Sequence, residues 1–203
     1  MNIKKSLLAL SLVAALPFAA ANAQERPNYN YAQGGYTNLN GEDDIDADGF
    51  NLEGSIAVAP NWHLFASTQQ LKDKDFDIGV DEWKLGVGFN HAVSANTDFV
   101  ARAAYQKLKS DDIYAGGLKL ANGADLDGYG VEAGVRSNLA PRVEGYALAG
   151  YEKYGNHDGY EGPSGGYARL GGQVKFNQNW GVFGDVKLSD GDTTWSIGPR
   201  ISW

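Results

Sequence analysis

Cysteine is absent from the 203 residues; methionine occurs once, histidine three times and proline six times. Without cysteine there is no disulfide to hold an exported fold and no thiolate chemistry. His63, His91 and His157 are too scattered for a zinc site of ordinary ligand spacing. Past the first 23 residues no run approaches the roughly 18 apolar residues of a membrane-spanning helix. No glycine-rich phosphate loop is present. Basic residues are outnumbered, 17 Lys and Arg against 25 Asp and Glu, so a nucleic acid would be repelled. What is plentiful is glycine, at 27, with 5 Trp, 11 Tyr and 8 Phe. That composition favours strands over helices.

The opening stretch, MNIKKSLLALSLVAALPFAAANA, has the layout of an export signal. Lys4 and Lys5 form a positive start, Ser6 to Ala20 an apolar stretch too short to anchor, and Ala21-Asn22-Ala23 a small-x-small cleavage pattern. Residues 1–23 are therefore expected to be a cleaved signal peptide and 24–203 the mature domain. Its removal leaves 15 basic against 25 acidic residues, a net charge of −10.

In the remainder the dominant signal is period two. Phe50, Leu52, Gly54, Ile56 and Val58 alternate with Asn51, Glu53, Ser55 and Ala57. The same pattern recurs from Glu82 to Phe89, Tyr129 to Arg136, Ala168 to Phe176, Trp180 to Leu188 and Trp195 to Trp203. Runs of this length suit tilted strands crossing a bilayer. Four weaker strands, at about 29–38, 62–71, 98–107 and 143–153, bring the predicted number to ten, with eight as the alternative. In 98–107, Phe99, Ala101, Ala103 and Tyr105 are expected outward and Arg102 inward.

The connections alternate in length. Ala59-Pro60-Asn61, Ser94 to Thr97, Leu139 to Arg142 and Asn177-Gln178-Asn179 are short; 39–48, 72–80, 108–126 and 154–164 are longer and polar. Short turns on one side and long loops on the other predict an all-β, antiparallel up-and-down transmembrane barrel. A lipocalin-like soluble barrel would also alternate, since period two does not say which face is wet. The charges tilt the balance toward the membrane. Glu53, Lys84, Arg102, Glu132, Arg136, Arg169, Lys175, Asp185, Lys187 and Arg200 share the polar face, where a narrow lumen would pair them.

The final strand, TTWSIGPRISW, places Ser196, Gly198, Ile201 and Trp203 as the polar-x-Gly-x-x-apolar-x-aromatic signal read by the outer-membrane assembly machinery. Trp62, Trp83, Trp180, Trp195 and Trp203 fall near predicted strand ends and are expected in aromatic belts at the two interfaces.

The stretches YNYAQGGY (Tyr29 to Tyr36), WKLGVGFN (Trp83 to Asn90), EGYALAGYE (Glu144 to Glu152) and GYARLGGQVKF (Gly166 to Phe176), with the ending GDVKLSDGDTTWSIGPRISW, carry a family resemblance. The chain resembles the small outer-membrane barrels of xanthomonads that are regulated by a diffusible signal, and more broadly the OmpX-type barrels. That resemblance implies an outer-membrane location, release in outer-membrane vesicles, and links to biofilm, motility or virulence. The family was once proposed to activate plant innate immunity. It supplies no catalytic residues.

Other chemistry is weakly signalled. Asp44, Asp46, Asp48 and Gly49 open a calcium-loop pattern, but Ser55 stands where the closing glutamate belongs. Loose cation bridging to lipopolysaccharide phosphates needs less geometry. His157-Asp158 and Ser164 lie in a predicted outer loop without the second acidic pair of a barrel protease. His91 and Ser94 fall on the turn side. The expectation is a monomer without enzyme activity or cofactor, whose partners are outer-membrane lipids, lipopolysaccharide and the assembly machinery. A narrow channel or a small barrel enzyme is the alternative.

Overall fold

A computed structural model describes residues 26–41, 46–73, 78–115, 118–121, 123–156 and 162–203. The chain forms strands β1 (Tyr31–Asn40), β2 (Asp46–Ala59), β3 (Trp62–Asp73), β4 (Gly79–Ala92), β5 (Thr97–Ser110), β6 (Ile113–Ala115), β7 (Leu118–Ala121), β8 (Asp125–Ala140), β9 (Val143–Tyr154), β10 (Ser164–Lys175), β11 (Trp180–Ser189) and β12 (Thr193–Ser202). Ten of them pair antiparallel with their neighbours in the chain, and β1 closes on β12 to complete a barrel. The other two, β6 and β7, form a small hairpin in the connection between β5 and β8. The architecture is the ten-strand antiparallel barrel expected from the alternation.

Side-chain direction follows the pleat. Phe50, Leu52, Ile56 and Val58 on β2, Leu85 and Val87 on β4, and Tyr129, Val131 and Val135 on β8 are all exposed on the outside. Glu53, Ser55, Glu132, Arg136, Arg200 and Ser202, one residue out of phase, are buried inside. The usual protein is thus turned inside out: apolar side chains cover the exterior, while Tyr29, Val100 and Leu148 form only a small apolar cluster within. From Phe50 to Val58 the apolar stretch rises roughly 20 Å along the barrel axis at ordinary strand rise and tilt.

The strands outrun the alternation that revealed them. β8 reaches 16 residues and β2, β4 and β5 reach 14, so strands enter the stretches expected to be loops. Above Tyr105 and Tyr129 the outward positions become Lys107, Lys109, Asp125 and Asp127, joined by ion pairs such as Lys107–Asp125 at 2.7 Å. The ladder continues there although hydrophobic periodicity has ended. Backbone pairing needs no apolar face, and periodicity reports only the part of a strand that has one.

The short-turn end carries a repeated device. Asn61, Asn96 and Asn179 each immediately precede a strand. Their carbonyls accept from Asn90, Asn138 and Ser202 N–H, at 2.9, 2.9 and 2.7 Å. Their side-chain amides donate back to the carbonyls of those same residues, at 2.6, 3.0 and 2.8 Å. Register shifts at Ala57/Ala59 and Asn138/Ala140 fall beside Pro60 and Pro141, which cannot donate to a ladder. At the opposite end Gly191, with φ of 81°, allows the tight turn from β11 to β12.

Candidate functional site: the barrel interior

The interior is layered. At the floor, near the short turns, the segment before β1 folds across the opening. Arg26 pairs with Asp98 at 2.9 Å and Tyr29 Oη donates to the other Asp98 oxygen at 3.0 Å. Asp98 itself is fully buried. Arg136 donates to Glu144 Oε1 at 2.7 and 2.9 Å and to the Asn28 carbonyl at 2.9 Å. The Tyr29 ring stacks on His63 at 4.5 Å, and the Arg200 guanidinium lies 3.6 Å from the centre of the Tyr31 ring.

One storey up, Glu53 lies between Arg102 and Arg169, 3.3 Å from each, and accepts from Tyr31 Oη at 2.5 Å. Arg102 also pairs with Glu132, and Arg169 with Asp185 at 2.8 Å. Tyr146 Oη donates to Asp185. Glu53, Arg102 and Arg169 line two cavities at once, about 30 Å³ below and about 300 Å³ above, and so form the partition between them. In the upper cavity Lys84 pairs with Glu82 and Glu152 at 3.2 and 3.3 Å, and Lys187 with Glu152 at 2.5 Å. Tyr154 donates to Glu82, and Tyr167 to Glu132 at 2.9 Å.

Such a lattice keeps charges buried at tolerable cost, because each is compensated by an opposite charge and hydrogen bonds. Of the charges expected to face inward, Glu53, Lys84, Arg102, Glu132, Arg136, Arg169, Asp185, Lys187 and Arg200 take part in these contacts. Lys175, at the end of β10, stands outside the paired set among the described residues. Reasoning from sequence alone left out Glu82, Asp98, Glu144 and Glu152, and the tyrosines that bond to these carboxylates or stack beneath the guanidinium groups. Parity was the available signal: Asp98 is in phase with Arg102, and Glu144 with Glu152.

Elsewhere, Ser196 points inward and donates to Thr37 Oγ1 at 2.9 Å. Gly198 faces Gly34 and Gly35 so closely that an added Cβ would lie 2.2 Å from the Gly34 carbonyl oxygen. Ile201 is paired on both sides, with Ala32 and Trp180. Trp203 is exposed, its N–H donating to the Asn30 carbonyl and its own carbonyl accepting from Asn28 Nδ2. Trp62, Trp180 and Trp203 are exposed near the short turns, in the same zone as Phe89, Phe99 and Phe176. Trp83 and Trp195 are exposed nearer the long loops, against Tyr105 and Tyr36 at 5.4 and 5.3 Å.

Asp46 and Asp48 belong to β2, where Asp46 accepts from Asn38 Nδ2 at 2.7 Å; Asp44 lies outside the described residues. An extended strand spreads alternate carboxylates by nearly 7 Å, unlike a loop that curls around an ion. No group of three or more His, Cys, Asp or Glu able to hold a metal occurs among the described residues. His157 and Asp158 lie outside the described residues. Ser164 begins β10. His91 stacks beside Phe89, while Ser94 Oγ bonds to Asn96.

No protein-family model matches the chain, and no curated protein matches it. Among solved structures it is similar to Neisserial surface protein A, with TM-score 0.47 and 12% identity, over 85% of this chain and 95% of that one. It is also similar to the translocator domain of the autotransporter NalP from Neisseria meningitidis, with TM-score 0.48 and 13% identity, over 98% and 96% of the two chains. A third is the N-terminal β-barrel domain of Pseudomonas aeruginosa OprF, at 0.45 and 9%, over 87% and 100%. Identities this low carry no residue roles across.

Proposed function

We propose that this protein is a non-enzymatic barrel of a Gram-negative outer membrane, exported by the signal in residues 1–23. Its long loops face outward, and it acts by surface contact, with vesicle release and roles in biofilm, motility or virulence as the family resemblance implies. The observation that carries the reading is the pairing of two opposite surfaces on one closed sheet: a continuous apolar exterior and an interior of paired charges. In water such an exterior would be an aggregation surface, whereas lipid covers it without cost to backbone hydrogen bonding. Ser196, Gly198, Ile201 and Trp203 act as the assembly signal, and the exposed tryptophans anchor the barrel at the two interfaces. Lipopolysaccharide phosphates meet the outward Lys107 and Lys109 above the apolar zone.

The test is fractionation of expressing cells, followed by electrophoresis of the outer-membrane fraction with and without boiling. The expected result is a band in that fraction whose mobility changes on heating. A soluble periplasmic band without a heat shift would overturn the reading and favour a lipocalin-like carrier.

A further inference from the structure

The upper cavity departs from what a hydrated lumen requires. At the long-loop ends of β1, β3, β4 and β5 its inward wall carries the aliphatic Leu39, Leu71, Val80 and Leu108, with Leu71 directly paired to Val80 across the sheet. These side chains are half-buried and face the space rather than packing shut. Deeper in the cavity, Lys84 on β4 and Glu152 and Lys187 on β9 and β11 are already joined to one another and to Glu82. The cavity is thus aliphatic toward the long-loop end and internally neutralised deeper down.

A second observation concerns Gln106. It lines this cavity and is fully buried, yet neither its Oε1 nor its Nε2 has a partner. Asn51 Oδ1, on the same cavity, is also unpartnered. A buried amide left without hydrogen bonds costs on the order of 1–3 kcal/mol, and native proteins rarely keep one without a use.

From these features we infer that the upper cavity is a binding cup for a small uncharged amphiphile, whose neutral polar head bonds to Gln106 and whose apolar part lies against Leu71, Val80 and Leu108. The cup is blind, because the Glu53–Arg102–Arg169 partition closes its base. Charge is excluded from the ligand by the wall itself. A carboxylate or an ammonium group would have to break the Lys84–Glu152–Lys187 set to find a counter-ion, losing as much as it gained. A volume of about 300 Å³ stands at the lower end of small-molecule pockets and limits the apolar part to a short chain. The inference rests on the membrane-barrel reading, which turns the long-loop end of this cavity to the outside.

The test uses three six-carbon probes that differ only in the head: hexanamide, hexanoate and hexylammonium. The protein, with 13C-labelled leucine and valine methyls, is placed in phosphatidylcholine nanodiscs and titrated with each. Hexanamide is expected to shift the Leu71, Val80 and Leu108 methyl resonances saturably, and the two ions are not. Gln106→Leu is expected to weaken hexanamide about tenfold or more while folding at least as well, since it removes an unpartnered amide. Acetamide, lacking the chain, is expected to give no saturable shift. Equal responses to all three heads, or no saturable response in a protein that retains its heat-dependent mobility, would overturn the cup alone. Loss of the heat shift as well would overturn the barrel-in-membrane reading and the cup with it.

Discussion

Arg102 touches Glu53 and Glu132 and covers the Phe65 ring at 4.5 Å, so one side chain compensates two buried carboxylates. Replacing it with Met preserves much of the volume, strands Glu132 and leaves Glu53 with Arg169 as its ion-pair partner. Removing one partner of a buried ionic set costs about 3–5 kcal/mol, mostly as the penalty on the charges left behind. Arg102→Met is therefore expected to lower stability by that order in urea unfolding from lipid vesicles, followed by tryptophan fluorescence. Adding Glu132→Gln should restore part of the loss, because Glu53 keeps Arg169 and the orphaned charge of Glu132 is gone. A double variant as unstable as the single one would contradict this account. At this scale the sequence was partly legible. Basic residues in clean period-two strands, such as Arg136 and Arg169, could be assigned to the interior. Asp98 shares the phase of Arg102 in a strand whose faces could be assigned, whereas Glu144 and Glu152 sit in a strand where glycine and aromatics of both parities blur the alternation, so no face could be chosen for them.

Among the elements, the short turns show how little is needed to fix the register of a hairpin. The residue before β9 is Arg142, whose carbonyl accepts from Lys175 N–H at 2.8 Å in the manner of Asn61, Asn96 and Asn179. Only the returning amide is missing. Arg142→Asn is expected to add it and stabilise the barrel by about 0.5–1.5 kcal/mol, whereas Asn179→Ala should cost a similar amount. Unfolding midpoints of the two variants in opposite directions from the parent check this. The closing seam is less forgiving. Gly198 approaches backbone atoms of Gly34 and Gly35 with no room for a side chain. Gly198→Ala must push β12 away from β1, and should abolish or slow heat-modifiable folding into vesicles, while Gly184→Ala, with open space around its Cβ, should not. Six barrel strands were legible from clean alternation of outward apolar side chains, and the four weaker ones, with a blurred period, brought the number to ten with eight as the alternative. Their upper ends were not legible, since Asp125 to Leu126 and Lys107 to Ser110 continue the ladder above the apolar zone, where nothing enforces an alternating pattern.

On the scale of the whole molecule, the barrel holds two closures in series between the long-loop mouth and the short-turn end. The partition of Glu53, Arg102 and Arg169 lies above the floor made by Arg26, Tyr29, Asp98, Arg136 and Glu144. Side chains fill a barrel of this size, and only a small cavity of about 30 Å³ separates the two layers. An ion crossing it would have to displace both sets of paired charges in turn. The protein in a planar bilayer is therefore expected to show no stepwise conductance. The series arrangement makes a sharper demand on variants. Opening the partition alone, with Glu53→Ala and Arg102→Ala together, leaves the floor intact and should still give a silent membrane. Adding Arg136→Ala and Tyr29→Ala removes the second layer, and only then should single-channel steps appear in protein that still shows the heat-dependent mobility shift. Steps in the parent would mean that the layers part spontaneously and that the barrel is a channel. Steps with the partition variant alone would mean that the floor segment before β1 does not seal, and that one layer of ion pairs is the whole of the barrier.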